Sequence, residues 1–265
     1  MSAGGAQIIA FDGGAEWWNH CYRVSLGCAR CLACAMWARY GYPPDVVVHG
    51  LVAEWEKVRD PHRVRPGGLY LLCPTSDFFI AEAEVWWAAA VELMRLRPDV
   101  DFVALTKRPK LARKFVAHFG VLPNLWLGIS AEDQKTLDAR VAKLYAIPAA
   151  GYVLSLQPLL GPINMTKHLN NPALYYVITG REAGDHARPC PKAWLDEIDR
   201  QCRQASIECF ITRWRDERGR ARTNGTRNKR GGHEPSHWSY TTRRPKITVG
   251  EQIRRRRRRR QAALT

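Results

Sequence analysis

The sequence predicts an α/β fold: a partial (β/α) TIM-like barrel of about six parallel strands, followed by a basic C-terminal tail. From residue 67 onward, short apolar runs alternate with longer amphipathic segments, which is typical of a mostly parallel sheet. Polar residues recur directly after each apolar run. An open doubly wound sheet would show the same alternation, so the pattern alone is compatible with both architectures.

Six apolar runs are the predicted strands, because each is short, apolar and bounded by polar or turn-forming residues. A further short strand is predicted over residues 16–24, where it would carry Cys21. The six runs are residues 69–73, 101–105, 125–129, 152–156, 174–178 and 207–211.

Helical segments separate these runs. Residues 80–97 form an amphipathic pattern rich in Ala, Glu and Trp, and residues 109–119 open at a proline, which is favoured in the first turn of a helix. The other predicted helices are residues 31–39, the middle of 45–65, 134–145 and 191–205.

Length and composition indicate one globular domain with extensions. The chain has 265 residues, of which 46% are hydrophobic, enough for a sizeable core. We expect a flexible lead at residues 1–15, a barrel domain at 16–215 and a largely disordered tail at 216–265. No apolar run approaches the roughly 20 residues of a membrane span, and the N-terminus has no secretory pattern. A cytoplasmic protein without membrane association is therefore expected.

The net charge of +16 is unevenly distributed. Residues 213–265 carry 18 Lys and Arg against four acids, a net of +14, which leaves +2 for residues 1–212. The basic character therefore belongs to the C-terminal part and indicates attraction to polyanions rather than a property of the fold.

Four of the eight cysteines are grouped with the spacing C-x6-C-x2-C-x2-C: Cys21, Cys28, Cys31 and Cys34. Thiolates grouped in this way hold an iron–sulfur cluster or zinc, or form a redox disulfide, and a reducing compartment favours metal. Because Cys31 opens a predicted helix, Cys34 lies one turn along the same face. It is either a fourth ligand or a small packed side chain. Core packing is expected for Cys73, Cys190, Cys202 and Cys209.

Candidate binding residues follow the predicted strands, where the sites of α/β barrels lie. The alternative is that such residues cap turns and helices. These candidates are Asp77, Lys107, Ser130, Gln157 and Glu182.

Several segments resemble a family of uncharacterised phage and bacterial radical-SAM-like proteins, distantly related to spore photoproduct lyases. The resemblance spans residues 16–215 in order. It is carried by Trp18-Asn19 with Cys21, Cys28 and Cys31, Ser76-Asp77, residues 105–109, residues 124–130 with 132–134, residues 158–163, Gly180, Glu182 and residues 187–189.

This resemblance implies a [4Fe–4S] cluster held by Cys21, Cys28 and Cys31, with S-adenosylmethionine on the fourth iron. An electron donor would then drive cleavage to a 5′-deoxyadenosyl radical. It also implies catalytic roles for Lys107 and Glu182, and cofactor contacts from Asp77, Ser130, Gln157 and Glu182. The substrate would be a nucleic acid or a nucleotide.

The chain departs from the family pattern at Cys34, Gln157 and Arg181. A fourth thiolate would close the cluster to S-adenosylmethionine. The alternative function is therefore a catalytically degenerate barrel with a structural iron–sulfur or zinc site. Such a protein would bind nucleic acid or serve as a subunit of a ribonucleoprotein or phage particle.

Seven consecutive arginines near the C-terminus predict nucleic-acid binding through phosphate contacts, without sequence specificity. A solubilising or targeting tail is the alternative. The oligomeric state is left open by the sequence. The seven residues are Arg254, Arg255, Arg256, Arg257, Arg258, Arg259 and Arg260.

Deleting residues 247–265 should weaken binding to duplex DNA and flatten its salt dependence. If all seven arginines contact phosphates, the slope of log K against log salt should fall by about 6. Titrations at several salt concentrations measure this slope. Affinity that survives the deletion, or that persists at high salt, would contradict an electrostatic role for the tail.

Overall fold

The computed structural model describes residues 11–19, 21–42, 47, 52–183, 186–212, 214–215 and 221–222. Their central element is a seven-stranded sheet in which every neighbouring pair of strands is parallel. Strand order follows the chain without exchange, as in one part of a (β/α) barrel. The strands are β1 (Gly13–Ala15), β2 (Leu69–Leu72), β3 (Asp101–Thr106), β4 (Leu125–Ser130), β5 (Tyr152–Leu156), β6 (Leu174–Thr179) and β7 (Glu208–Ile211).

Within the described residues, six α-helices accompany the strands. They are α1 (Leu32–Arg39), α2 (Val52–Arg59), α3 (Trp87–Leu96), α4 (Pro109–Phe119), α5 (Gln134–Tyr145) and α6 (Lys192–Gln204). Short 3-10 helices lie at Leu26–Cys28, Ala81–Trp86 and Thr166–His168. None of the described helices is long and apolar enough to cross a bilayer.

The two faces of the sheet bury different sets of side chains. Along β4, Leu125, Leu127 and Ile129 join the large core that includes helical residues, whereas Trp126 joins a smaller cluster without helical residues. The smaller cluster therefore marks the inner face of the half-barrel. Its aromatic members are Phe11, Trp126, Tyr175, Tyr176 and Phe210.

The inner face of the sheet carries large aromatic side chains near the amino-terminal ends of its strands. Trp126 stacks on Tyr175 with ring centroids 3.8 Å apart, and this aromatic layer fills the amino-terminal side. The next inward positions toward the carboxyl ends are Gly128 and, on β5, Ser155. A Cβ at Gly128 would collide with the Leu105 side chain. Gly128 therefore leaves room for the Leu105 side chain of the neighbouring strand on the inner face.

The predicted half-barrel is confirmed, with local differences at its N-terminus. The first strand is Gly13–Ala15 and not residues 16–24. Trp17 and Trp18 are fully buried instead of alternating with exposed positions as a strand would place them. The predicted helix at residues 80–97 begins as a 3-10 helix and becomes α-helical at Trp87.

Two antiparallel strands of two residues each, β8 (Trp214–Arg215) and β9 (Ala221–Arg222), pair with each other. They lie on either side of the predicted boundary between barrel and tail. The seven arginines at 254–260 lie outside the described residues, so their predicted binding to nucleic acid stays a prediction.

The side chain of Asn124, which directly precedes β4, forms hydrogen bonds with the end of α3. Its buried side-chain amide donates to the carbonyls of Met94 (2.9 Å), Arg97 (2.9 Å) and Val100 (3.1 Å). These carbonyls belong to the last turn of α3 and the loop after it, where helical partners are missing.

The Asn124→Ala variant should lower the free energy of unfolding by about 2 kcal/mol, because it removes three buried hydrogen bonds between the start of β4 and the end of α3. Denaturant titration followed by circular dichroism measures the loss. Asn170→Ala, at an exposed position, should change stability by less than about 0.5 kcal/mol. Equal effects from the two variants would contradict the assigned role of Asn124.

Candidate functional site

The residues from Cys21 to Cys31, here called the cysteine loop, follow two anchoring tryptophans. Trp17 and Trp18 are fully buried, and Trp18 Nε1 donates to the carbonyl of Asp77 at 3.1 Å. Asp77 lies in the turn after β2. This contact fixes the start of the cysteine loop at the carboxyl end of the sheet.

All four clustered cysteines carry free thiols and are partly exposed. Burial raises the pKa of Cys21 to about 12. The Asp77 charge adds to this rise, Arg108 opposes it, and the Cys31 and Cys28 charges add to it. Cys21, Cys28 and Cys31 are therefore close enough to act on one another electrostatically. The role of these three residues as ligands of one metal centre stays a prediction.

The pKa of Cys28 shifts in the direction opposite to that of Cys21. Although burial acts against the thiolate, the Lys107 charge and hydrogen bonds from Val24 and Ser25 lower the pKa of Cys28 below its ordinary value. Ser25 Oγ lies 3.9 Å from Cys28 Sγ. Lys107, which follows β3, thus contributes positive charge to the cysteine loop.

Cys34 lies beside Cys31, as helical spacing predicts. Cys31 is the N-cap residue of α1. Burial, the Cys31 charge and a hydrogen bond with Cys31 raise the pKa of Cys34 to about 11, with Arg23 opposing the rise. The fourth thiol is therefore adjacent to Cys31, and this contact does not distinguish a ligand from a neighbour.

The first of three buried carboxylates at the rim is Asp77. It accepts hydrogen bonds from the backbone of Phe79 (2.9 Å) and Lys107 (3.0 Å) and from Arg108 Nη1 (2.8 Å). The Nη2 group of Arg108 donates to the carbonyl of Tyr22 in the cysteine loop. Asp77 therefore links β2 to β3 and, through Arg108, to the loop.

The second carboxylate is Glu132, after β4, whose side chain is fully buried. It accepts from Arg140 Nη1 at 2.9 Å and from the backbone N–H of Gly27 at 3.4 Å. A Cβ on Gly27 would lie only 3.1 Å from the Glu132 carboxyl carbon, so glycine permits this approach. The helix cap expected in this turn is supplied by Asp133, which forms a capping box with Thr136.

The third carboxylate is Glu182, after β6. Arg188 donates to it from its backbone N–H (3.0 Å), from Nε (2.9 Å) and from Nη2 (2.5 Å). Arg188 Nη2 also donates to the carbonyl of Leu26 at 3.0 Å. Burial opposes ionisation, but the Arg188 hydrogen bonds and charge lower the pKa of Glu182, so the pair is ionic at neutral pH.

The other rim candidates form a separate contact. Ser130 Oγ donates to the carbonyl of Gln157 at 3.2 Å, and Gln157 Nε2 donates to Thr212 Oγ1. Ser130 and Gln157 therefore lie together at the ends of β4 and β5. Their cofactor role, like those of Lys107, Asp77 and Glu182, stays a prediction.

Sequence reasoning missed the structural part played by Glu132, Arg140 and Arg188. One sequence pattern could have indicated these ion pairs. Three strands are each followed by an acid, at Asp77, Glu132 and Glu182, and an arginine lies a few residues downstream or after the next strand. What the sequence did not show is that each pair reaches the cysteine loop.

Among the described residues, no group of three or more His, Cys, Asp or Glu side chains is arranged to hold one metal ion. Zinc needs four ligands around a single centre at about 2.3 Å from each sulfur. A [4Fe–4S] cluster is larger and binds each thiolate through a different iron. Thiols are the donor type that both centres use, so the choice between an iron–sulfur cluster and zinc stays a prediction.

The Glu132→Ala variant should lower the free energy of unfolding by about 3 to 5 kcal/mol, because it leaves the Arg140 charge buried without its carboxylate. The matched control is Glu197→Ala, which breaks a Glu–Arg pair whose side chains are 44% and 52% exposed and should change the stability little, because solvent screens such a pair. Denaturant unfolding measures both. Similar losses would show that the buried pair contributes no more than a surface pair.

Comparison with solved structures supports the fold. A cysteine-to-serine variant of spore photoproduct lyase superposes with a TM-score of 0.53 and 10% identity, covering 80% of each chain. Spore photoproduct lyase complexed with dinucleoside spore photoproduct gives a TM-score of 0.49 and 11% identity, covering 75% of this chain and 76% of that chain. At these identities the likeness concerns the fold alone.

No curated protein matches the sequence. One family model does, and it covers residues 8–255, nearly the whole chain. The protein therefore belongs to the family described as "Protein of unknown function (DUF5131)".

Proposed function

We propose that this protein is a radical-SAM-type iron–sulfur enzyme that acts on a nucleic acid or nucleotide, with Cys21, Cys28 and Cys31 as the cluster ligands. The observation that carries the proposal is the cysteine loop itself. Three free thiols lie on one segment. Three carboxylates hold this segment at the carboxyl rim of a parallel half-barrel: Glu132 directly, Asp77 through Arg108, and Glu182 through Arg188. When bound, a [4Fe–4S] cluster would pass an electron from an external donor to S-adenosylmethionine, whose C–S bond is then cleaved.

The chain's own residues would hold and balance such a centre. Lys107 lies within electrostatic range of Cys28, and Arg108 and Arg23 act on Cys21 and Cys34. Cations at these places offset the negative charge of several thiolates in one small region. The fold, which matches spore photoproduct lyase with a TM-score of 0.53, is compatible with this assignment.

The geometry refines the roles expected at the rim. Asp77 and Glu182 each receive three hydrogen bonds from the protein, so we assign both as positioning residues for the cysteine loop. Lys107, Ser130 and Gln157 keep their proposed contacts with substrate or cofactor.

Cys34 supports a second candidate function. Its hydrogen bond with Cys31 supports this alternative, because four thiolates would complete the coordination of a structural cluster or of zinc. The protein would then be a catalytically degenerate barrel that binds nucleic acid or serves as a subunit of a ribonucleoprotein or phage particle.

Anaerobic purification tests the cluster. The full chain should contain about four irons, with an electron paramagnetic resonance signal after reduction. Cys28→Ala should lose most of this iron, whereas Cys190→Ala, which removes a thiol outside the cluster of four, should keep it. Zinc in place of iron, or iron retained in Cys28→Ala, would overturn the ligand assignment.

Catalysis is tested by incubating the reduced full chain with S-adenosylmethionine and measuring 5′-deoxyadenosine. The enzyme proposal expects this product. If the wild type is inactive and Cys34→Ala gains the activity, the fourth thiol closes the native site and the structural function is correct. Cleavage by neither protein, despite a full complement of iron, would also favour the structural function.

A further inference from the structure

The segment from Cys21 to Tyr42 exposes most of its large apolar side chains. Only Gly27 in this segment is buried, and α1 has no buried residue although its sequence is Leu-Ala-Cys-Ala-Met-Trp-Ala-Arg. Nine large hydrophobic side chains are exposed in the described residues, and six of them belong here: Tyr22, Val24, Leu26, Leu32, Tyr40 and Tyr42. Such concentration in one segment marks an interaction surface rather than ordinary scatter.

The charge of this segment has one sign. It contains three arginines, Arg23, Arg30 and Arg39, which are all exposed, and no Asp or Glu. Two of the arginines are adjacent to exposed tyrosines, as Tyr22-Arg23 and Arg39-Tyr40. Tyr40 is 61% exposed. The surface therefore offers cations and flat apolar rings side by side.

The positive charge of this surface excludes the protein's own C-terminal tail as its binding partner. Residues 213–265 carry a net charge of +14, so the tail is repelled from three exposed arginines rather than attracted to them. A polyanion with flat apolar groups satisfies both features of the surface, because arginine binds phosphate and tyrosine stacks on unpaired bases.

We propose that residues 22–42, here called the arginine–tyrosine face, bind single-stranded or unstacked nucleic acid. Arg23 and Arg39 contact phosphates, and Tyr40 stacks on a base. The face is continuous with the candidate site, since Arg108 and Arg188 hold the carbonyls of Tyr22 and Leu26. A bound strand would therefore pass over the carboxyl rim. The inference deepens the proposed function by naming the surface that receives the substrate, although the binding itself does not require a cluster.

The charge component is tested with the full chain and labelled oligothymidylate of about 20 nucleotides, by fluorescence anisotropy over a range of salt concentrations. The double variant Arg23→Ala/Arg39→Ala should reduce the slope of log K against log salt by about 1.4, or about 0.7 for each phosphate contact. Arg95→Ala/Arg113→Ala removes the same charge from exposed positions on α3 and α4 and should leave the slope unchanged. The tail is present in every variant and contributes equally.

The stacking component is tested with Tyr40→Ser. Binding to the single strand should weaken about tenfold, which corresponds to one stacked base, while binding to a duplex of equal length should change little because its bases are already stacked. Val85→Ser, at a side chain that is 78% exposed, is the control and should bind both ligands like the wild type. Thermal melting monitors the folding of each variant.

Two results would overturn the inference. Equal loss in the two double variants would mean that the face adds only non-specific charge. Wild-type affinity in both face variants would mean that the face does not bind nucleic acid. If Leu32→Glu then also lowers the sedimentation coefficient of the protein, the face joins two copies of the chain instead. Iron content and cleavage of S-adenosylmethionine report on the proposed function separately, so failure of either idea can be recognised without the other.

Discussion

Buried ion pairs hold the cysteine loop in place. Beyond Trp17, Trp18 and Cys21 at its start, hydrophobic burial contributes little, because Gly27 is the only buried residue between Cys21 and Tyr42. The loop is fixed instead through its backbone: Arg108 and Arg188 bind two of its carbonyls, and Glu132 accepts one of its N–H groups. A buried charge pair is a poor source of net stability, but it gives strict geometry when its hydrogen bonds are complete. The ion pairs therefore fix the position of the cysteine loop more than they add to the stability of the fold.

This design divides the protein into a rigid base and an adaptable upper surface. The sheet and its helices share a continuous apolar core, which resists deformation because it is closely packed. Above the rim, the thiols and the arginine–tyrosine face belong to a segment with few packing constraints. Binding residues can vary in such a segment without disturbing the strands beneath it.

The sheet was predictable because its strands are short, buried and apolar on both faces, with helical segments between them. The first strand was not, since Gly13-Gly14-Ala15 has no apolar pattern and depends on pairing with β2. The aromatic residues just after it suggested a strand at 16–24, whereas Trp17 and Trp18 act as anchors. The cysteine loop was predictable from spacing. The partner of Glu132 was not, because Gly27 is 105 residues away and an acid in that turn also fits a helix cap, the role that Asp133 performs.

The contact between Gly128 and Leu105 has a further consequence for the interior of the half-barrel. Gly128 has no side chain, and the Leu105 side chain of the neighbouring strand occupies the space that a Cβ at position 128 would enter. A larger residue at position 128 would therefore need a smaller one at position 105, because closely packed interiors do not accept added volume without strain. The shape of the inner wall at this height is thus inherited through β3 and β4 together and not through either strand alone.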